Sequence, residues 1–356
     1  MTTPGKTEAP VAGHRGLTAL ERPPAQHYDL VALDLDGVVY VGSEAVPHAA
    51  SALEGARGLG TRTAFVTNNA ARTPTTVAEH LTSLGVQAGP EDVVNSAQAA
   101  ARLLAADHAA GSRIFVIGGE GLLVALRDRG LEPVTAVTDD PVAVVSGYAP
   151  DLPWERVRDG AILVRRGLPW VATNTDASVP TPHGRGPGNG VLVGVVADFA
   201  EREPVVAGKP ERALLDETVE RTGAQRPVFV GDRVETDIDG AHRAGMAGLL
   251  VLTGVSDLAS LLRIEADSRP DLVGVDLRCL LEPHPPVEVA ESLDVAVCGG
   301  VEVRHDDGWR VPDPDGDDGG LLPALRAVTA LAWARLDADH DIADVDDLAV
   351  RWGLPG

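Results

Sequence analysis

Two carboxylates one residue apart, in Asp34-Leu35-Asp36-Gly37, directly follow the apolar run Val31-Ala32-Leu33. On an extended chain, residues i and i+2 point to the same side. Both carboxylates therefore converge where the chain turns, and Gly37 permits that turn. Thr67-Asn68-Asn69 closes the next apolar run, Thr63 to Val66. It offers a hydroxyl, an amide side chain and successive backbone N–H groups, all suited to phosphate oxygens. Arg72, just beyond, reads as a cap on that turn. Lys209, in Gly208-Lys209-Pro210, stands before a helix that starts at Pro210 and can reach a phosphoryl oxygen as a mobile point charge. Asp232 ends the run Pro227 to Val230 as Asp34 ends its own, and Asp237 follows one helical entry later, where a carboxylate can fix the loop or a metal-bound water. Each group alone reads as readily as an ordinary polar turn. Four in order, each after a strand or at a helix start, are hard to obtain by chance.

These groups need a frame that carries strand ends to one place. Short apolar runs alternate with amphipathic stretches along the chain. Strands are expected at 31–33, 63–66, 227–230 and 249–252, and helices at 45–59, 74–84, 211–222 and 237–244. Gly85 caps the second helix. Strands apolar on both faces and separated by helices imply a parallel sheet covered on both sides. In such sheets ligands bind outside the carboxyl ends of the strands. A second series lies between the two groups, with strands at 114–117, 142–145 and 170–172 and helices at 97–106, 120–129 and 154–166. The Pro- and Gly-rich stretch from Pro180 to Gly190 reads as a loop or hinge.

Composition excludes several classes. The chain has 356 residues, 53 acids against 30 bases and a net charge of −23, so no basic stripe marks a nucleic-acid binder. With 44% hydrophobic residues it can build packed cores. No stretch approaches the roughly 18 apolar residues that span a bilayer, and 1–26 lacks the apolar core of a signal peptide. Cys279 and Cys298 form no disulfide framework, so a reducing cytoplasm is the expected setting. Of the 30 bases only two are lysines, Lys6 and Lys209, a bias that follows GC-rich codons. Residues 277–356 hold 17 acids, 6 bases and three of the five tryptophans, Trp309, Trp333 and Trp352. That composition points to a small folded α+β unit with a hairpin around Gly299-Gly300 and a helix from Leu321 to Leu336. Asp313, Asp315 and Asp317 lack the glycine and closing acid of a calcium loop and read as a solvated acidic loop.

The four motifs together resemble the haloacid dehalogenase superfamily of phosphatases, in the subclass with a large α/β cap inserted between the second and third motifs. Ala172-Thr173-Asn174 with Asp176, and Pro187-Gly188-Asn189-Gly190, match it as well, and the resemblance covers about 28–275. It implies a Rossmann-like α/β core with a parallel sheet at 27–92 and 187–276, the cap at 93–186, a flexible tail at 1–26 and an acidic extension at 277–356. By this resemblance Asp34 is the nucleophile and Asp36 the general acid/base. Lys209 and the Thr67–Asn68–Asn69 turn hold the phosphoryl group. Mg²⁺ is bound by Asp34, the Asp36 main-chain carbonyl and Asp232, and Asp237 orients Lys209 or waters.

The cap is expected to restrict the site to small phosphorylated metabolites. Tyr148, Asn174, Asp176, His183 and Arg185 are its candidate contacts. With the C-terminal extension, the architecture most resembles actinobacterial glycerol-3-phosphate phosphatases. The alternatives are a broad phosphatase of phosphoglycolate, sugar phosphates, pyridoxal phosphate or nucleoside monophosphates, and a non-catalytic phosphate-binding module. The extension is a candidate dimer contact, hence a homo-oligomer, or a regulatory domain.

Overall fold

A computed structural model describes residues 16–181, 183–306, 308–312 and 320–352. Lys6 and the acidic loop containing Asp313, Asp315 and Asp317 lie outside them.

Six parallel strands form the first sheet, in the order Leu272–Gly274, Ala247–Val251, Pro227–Gly231, Leu30–Leu33, Arg62–Thr67 and Val93–Asn95. Leu33 is level with Val230 on one side and Phe65 on the other. Parallel pairing thereby carries Asp34, Thr67, Asp232 and the chain beyond Val251 to one edge. Successive side chains on a strand face opposite ways. Leu30, Ala32, Ala64, Val66 and Phe229 enter one apolar cluster, while Val31, Leu33, Phe65, Val228 and Val230 enter another.

The first cluster runs on into a second parallel sheet, ordered Val205–Val206, Trp170–Ala172, Ala143–Ser146, Arg113–Ile117 and Glu132–Val134. The helix Ser96–Asp107 joins the two sheets through Ala97, Ala99, Ala100, Ala101 and Leu104. Its small side chains let both layers approach closely. The seam is also charged. Glu217, almost fully buried on the helix Arg212–Thr222, takes ion pairs from Arg102 (3.2 Å), Arg129 (2.7 Å) and Arg221 (2.9 Å).

Sequence and structure differ in four places. The Val93–Asn95 strand belongs to the first sheet, and Val205–Val206 pairs with Trp170–Ala172 in the second, so the inserted unit spans about 96–206 instead of 93–186. The expected loop after Pro180 is a hairpin of Ser178–Thr181 and Gly184–Pro187, followed at once by the helix Asn189–Ala200. The helix expected from Ala45 begins at Ala49: Pro47 disfavours helical geometry at Val46, and His48, just before the helix, has φ +65°. Residues 16–26, read as a flexible tail, dock instead: Thr18 N–H donates to Asp271 O (2.8 Å), and Leu20 pairs with His284.

Beyond residue 276, the antiparallel strands Val287–Val289, Val295–Cys298, Val301–His305 and Trp309–Arg310 are covered by the helix Leu321–Asp337. Leu325, Val328, Leu331 and Trp333 share a core with Leu250, Leu262 and Val273. The acidic unit is thus packed on the edge of the first sheet. No helix among the described residues is long and apolar enough to cross a membrane.

Candidate active site

Asp34 leaves its strand with its N–H donating to Val230 O (2.9 Å). Its Oδ1 accepts from Lys209 Nζ at 3.0 Å, and the same ammonium donates to Asp237 Oδ1 at 2.7 Å. Lys209 is 2% exposed and lies over the Phe229 ring. Asp237 comes from a wide π-type turn, Val234–Ile238, of the kind that often marks functional sites. Its Oδ2 accepts the N–H groups of Asp232 and Arg233, both at 3.1 Å. Both of its oxygens are therefore engaged. Gly231 makes room for it, since a Cβ there would lie 2.2 Å from Asp237 Cβ.

Asp232 is held differently. Its Oδ2 accepts from Val255 N–H at 2.7 Å, while its Oδ1 is buried without a partner. A Cβ on Gly37 or Gly254 would come within 2.4 or 2.0 Å of Asp232 Oδ2, so two glycines form its walls. Gly37 also has φ +89°, and Thr253 Oγ1 donates to its carbonyl (2.6 Å). Thr253-Gly254 escaped the sequence reading. The available signal was its position, closing an apolar strand just as Gly231-Asp232 does.

Electrostatics follow from this packing. Burial pushes the Asp34 carboxyl up to about 7 against the pull of Lys209, and burial with the Asp237 charge brings Asp232 to about 6. Burial opposes the Lys209 charge, but Asp237 and Asp34 outweigh it and hold the ammonium above its ordinary range. Oxygens of Asp34, Asp232 and Asp237 lie within 4.8 Å of one another. The unpartnered Asp232 Oδ1 beside Asp34 is what a hard divalent cation takes. Asp237, saturated by Lys209 and two N–H groups, positions the lysine.

The Thr67-Asn68-Asn69 turn needs a correction. Asn68 Oδ1 accepts from Lys209 N–H (2.8 Å), and its Nδ2 donates to Lys209 O (3.0 Å) and Asp176 Oδ1 (3.2 Å). Asn69 Oδ1 accepts from Ala71 N–H (2.9 Å) and Asn69 N–H donates to Thr67 Oγ1 (3.1 Å). Both asparagine side chains are engaged by the protein. The Thr67 hydroxyl and the main chain are what the turn can offer an anion. The Arg72 carbonyl accepts from Asn95 Nδ2 (3.1 Å), and its guanidinium, with Asp36 and Asp34, acts on the Tyr40 hydroxyl.

From the inserted unit, Asn174 and Asp176 reach the site. Asn174 Nδ2 donates to Asn68 O at 2.7 Å. His183 and Arg185 are exposed on the hairpin, and among the described residues no hydrogen bond or ion pair joins them or Tyr148 to the carboxylate cluster. Asp36 is exposed at the mouth beside Asp34, where with burial it holds the Tyr40 hydroxyl above its ordinary range.

Comparison with known proteins places the chain in a family. A model of haloacid dehalogenase-like hydrolases matches residues 31–132, and one described as HAD-hydrolase-like matches 206–280. The D-glycerol 3-phosphate phosphatase of Mycobacterium tuberculosis is 40% identical over 319 residues, 88% of each chain. An acid sugar phosphatase of Staphylococcus epidermidis is 33% identical over 65% of this chain and 89% of its own. The crystal structure of the glycerol phosphate phosphatase from M. tuberculosis in complex with magnesium superposes with a TM-score of 0.78 at 36% identity, covering 94% of this chain and 99% of that one.

Proposed function

The chain belongs to the haloacid dehalogenase-like hydrolases, and from that premise we propose that it is a Mg²⁺-dependent phosphatase that hydrolyses glycerol 3-phosphate. The observation that carries the reaction class is the Lys209 ammonium bridging Asp34 and Asp237 beside the unpartnered Asp232 Oδ1. The substrate rests on the mycobacterial relative. A 319-residue match cannot fit within the first 276 residues, so it includes part of the C-terminal unit.

Asp34 attacks phosphorus and forms an aspartyl-phosphate while the ester oxygen leaves. Asp36, exposed at the mouth, gives that oxygen its proton. It then takes a proton from water, which attacks phosphorus, releases inorganic phosphate and restores Asp34. Lys209 holds charge on the non-bridging oxygens, helped by the Thr67 hydroxyl and the main chain of its turn. Asp237 aims Lys209. Asp34, Asp232 and the Asp36 carbonyl would hold Mg²⁺, which would supply positive charge against the repulsion between carboxylate and phosphate dianion. Cys279 and Cys298 are both free and buried, which supports a reducing, cytoplasmic setting.

A phosphate-release assay with Mg²⁺ over a panel of small phosphomonoesters, including both glycerol phosphate isomers, tests the reading. Glycerol 3-phosphate is expected to give the highest kcat/KM. Equal turnover across the panel replaces the substrate with a broad range, and near-normal activity of Asp34→Asn removes the nucleophile.

A further inference from the structure

We infer that the acidic C-terminal unit braces the loop that holds Asp232 and thereby sets the affinity of the site for Mg²⁺, with Trp333 as the positioning residue. The inference rests on the Mg²⁺-dependent reading above and gives the residues beyond 276 a role in it.

Asp232 is oriented by the loop that follows the strand Ala247–Val251. Val255 N–H donates to its Oδ2 (2.7 Å), Ser256 N–H donates to its main-chain carbonyl (3.0 Å), and Gly254 forms a wall beside it. This tether leaves Oδ1 as the oxygen free to meet a cation. A loop is only as fixed as its two ends. At one end Leu252 is buried against the sheet. At the other end the helix Leu258–Leu262 starts, capped by Asp257, whose Oδ1 accepts from Ser260 N–H (2.7 Å). A helix of five residues is not stable by itself. This one depends on what it packs against.

Its partner is the C-terminal unit. Leu258, Leu261 and Leu262 are wholly buried and share an apolar cluster with Leu331, Trp333 and Leu348. The same cluster takes in Leu252 and Ile238, the residue after Asp237. The unit therefore backs both loops that shape the metal side of the site. One polar bond fixes the docking: Trp333 Nε1–H donates to Leu261 O (3.0 Å), a terminal carbonyl of the kind a short helix cannot fully satisfy itself. The indole is itself clamped. The Arg269 guanidinium lies over it at 5.0 Å and donates to both oxygens of Asp337 at 2.7 Å. Contacts thus run without a break from Trp333 through the short helix to Val255 and Asp232. Groups that orient a metal ligand from behind are typically worth 10- to 100-fold in metal affinity. The brace acts on how tightly the ion is held, not on the rate once it is held.

The test reads the metal without substrate. The Kd of Mg²⁺ is measured by calorimetry on the full chain, and hydrogen exchange at the Val255 and Ser256 amides is followed in chelator. Trp333→Phe keeps a ring and removes the donor. It should weaken Mg²⁺ roughly tenfold and speed exchange at both amides. Asp337→Asn, which loosens the Arg269 clamp from a partly exposed position, should shift both readouts the same way by less, and it stands in where Trp333→Phe fails to fold. Val164→Ala is the control: Val164 is wholly buried in the separate core of the inserted unit, so this variant lowers stability without touching the brace and should leave both readouts at wild type. Unchanged Kd and exchange in the two brace variants overturn the inference. So does an equal loss in Val164→Ala, which would mark general loosening. If wild type binds Mg²⁺ and Trp333→Phe weakens it while no phosphomonoester is hydrolysed, the phosphatase reading fails and the brace stands.

Discussion

Among the described residues, three cations of the Lys/Arg type are almost wholly buried, Lys209, Arg269 and Arg326, and the first and last, at 2% and 0% exposure, are compensated in opposite ways. Lys209 sits between two carboxylates at 3.0 and 2.7 Å. Arg326 takes no carboxylate among the described residues. Its fork donates to Pro285 O (2.9 and 3.1 Å), Thr18 O (2.9 Å) and His284 Nδ1 (3.2 Å). It rivets the 16–20 segment, the 284–285 turn and the covering helix to one another. A planar guanidinium can satisfy several fixed carbonyls at once. A compact ammonium between anions suits a place where a phosphoryl group must be held. The pair separates a charge used for chemistry from one used for assembly.

The sharpest way to break this contrast is to remove the lysine. Lys209→Ala should cost on the order of 10²–10³ in kcat, as for loss of one oxyanion donor. Lys209→Arg should not restore it, because a fork cannot occupy the place of an ammonium. If Lys209→Ala lowers stability but leaves kcat of the folded protein intact, the lysine is a rivet after all.

Arg326→Met should do the reverse. It leaves buried carbonyls without donors at about 1–3 kcal/mol per group, so urea unfolding should show a loss of several kcal/mol. Turnover per folded molecule should stay within about twofold of wild type. A parallel fall in kcat would mean that the C-terminal unit acts on the site.

The two regions should also differ in pH dependence, with opposite signs. Burial, with Arg326 beside it, depresses His284 from 6.5 to about 4 although the Cys279 carbonyl favours its charge. Between those values the unfolded chain binds a proton that the folded protein refuses, so stability falls as pH drops through the window. The shift corresponds to roughly 3 kcal/mol at most. Asp34 is raised from 3.8 to about 7. In chelator, the folded protein keeps a proton that the unfolded chain has released, so stability falls as pH rises from about 4 to 7. The two contributions oppose each other over pH 4 to 7, and thermal midpoints in chelator separate them: Asp34→Asn should leave stability rising with pH there, and His284→Asn should leave it falling.

Much of the frame was readable because apolar strands and capped helices are local signals. The helix Asn189–Ala200 was missed because Val191, Val195 and Phe199 stay exposed while Val193 and Val196 are buried, leaving no polar face to give a period. The hairpin near Pro180 looked like a loop because Pro and Gly usually break strands. A two-stranded ribbon has only edges, where Pro is tolerated, and Gly184 supplies φ +114° at its turn.

The sequence by itself determined which residue types end which strands, and a parallel sheet brings all such ends to one edge. That sufficed to bring Asp34, Asp232 and Asp237 together, whereas Lys209 arrives after Val205–Val206 of the second sheet. Only the tertiary structure decided how each side chain is engaged: Asn68 bracketing Lys209, Asp237 saturated, Asp232 walled by Gly37 and Gly254, and Asp176 facing the catalytic edge from the inserted unit. The physical reason is separation along the chain. The partners of Asn68 lie 141 and 108 residues away, so the short range of a hydrogen bond acts only after folding has closed those loops.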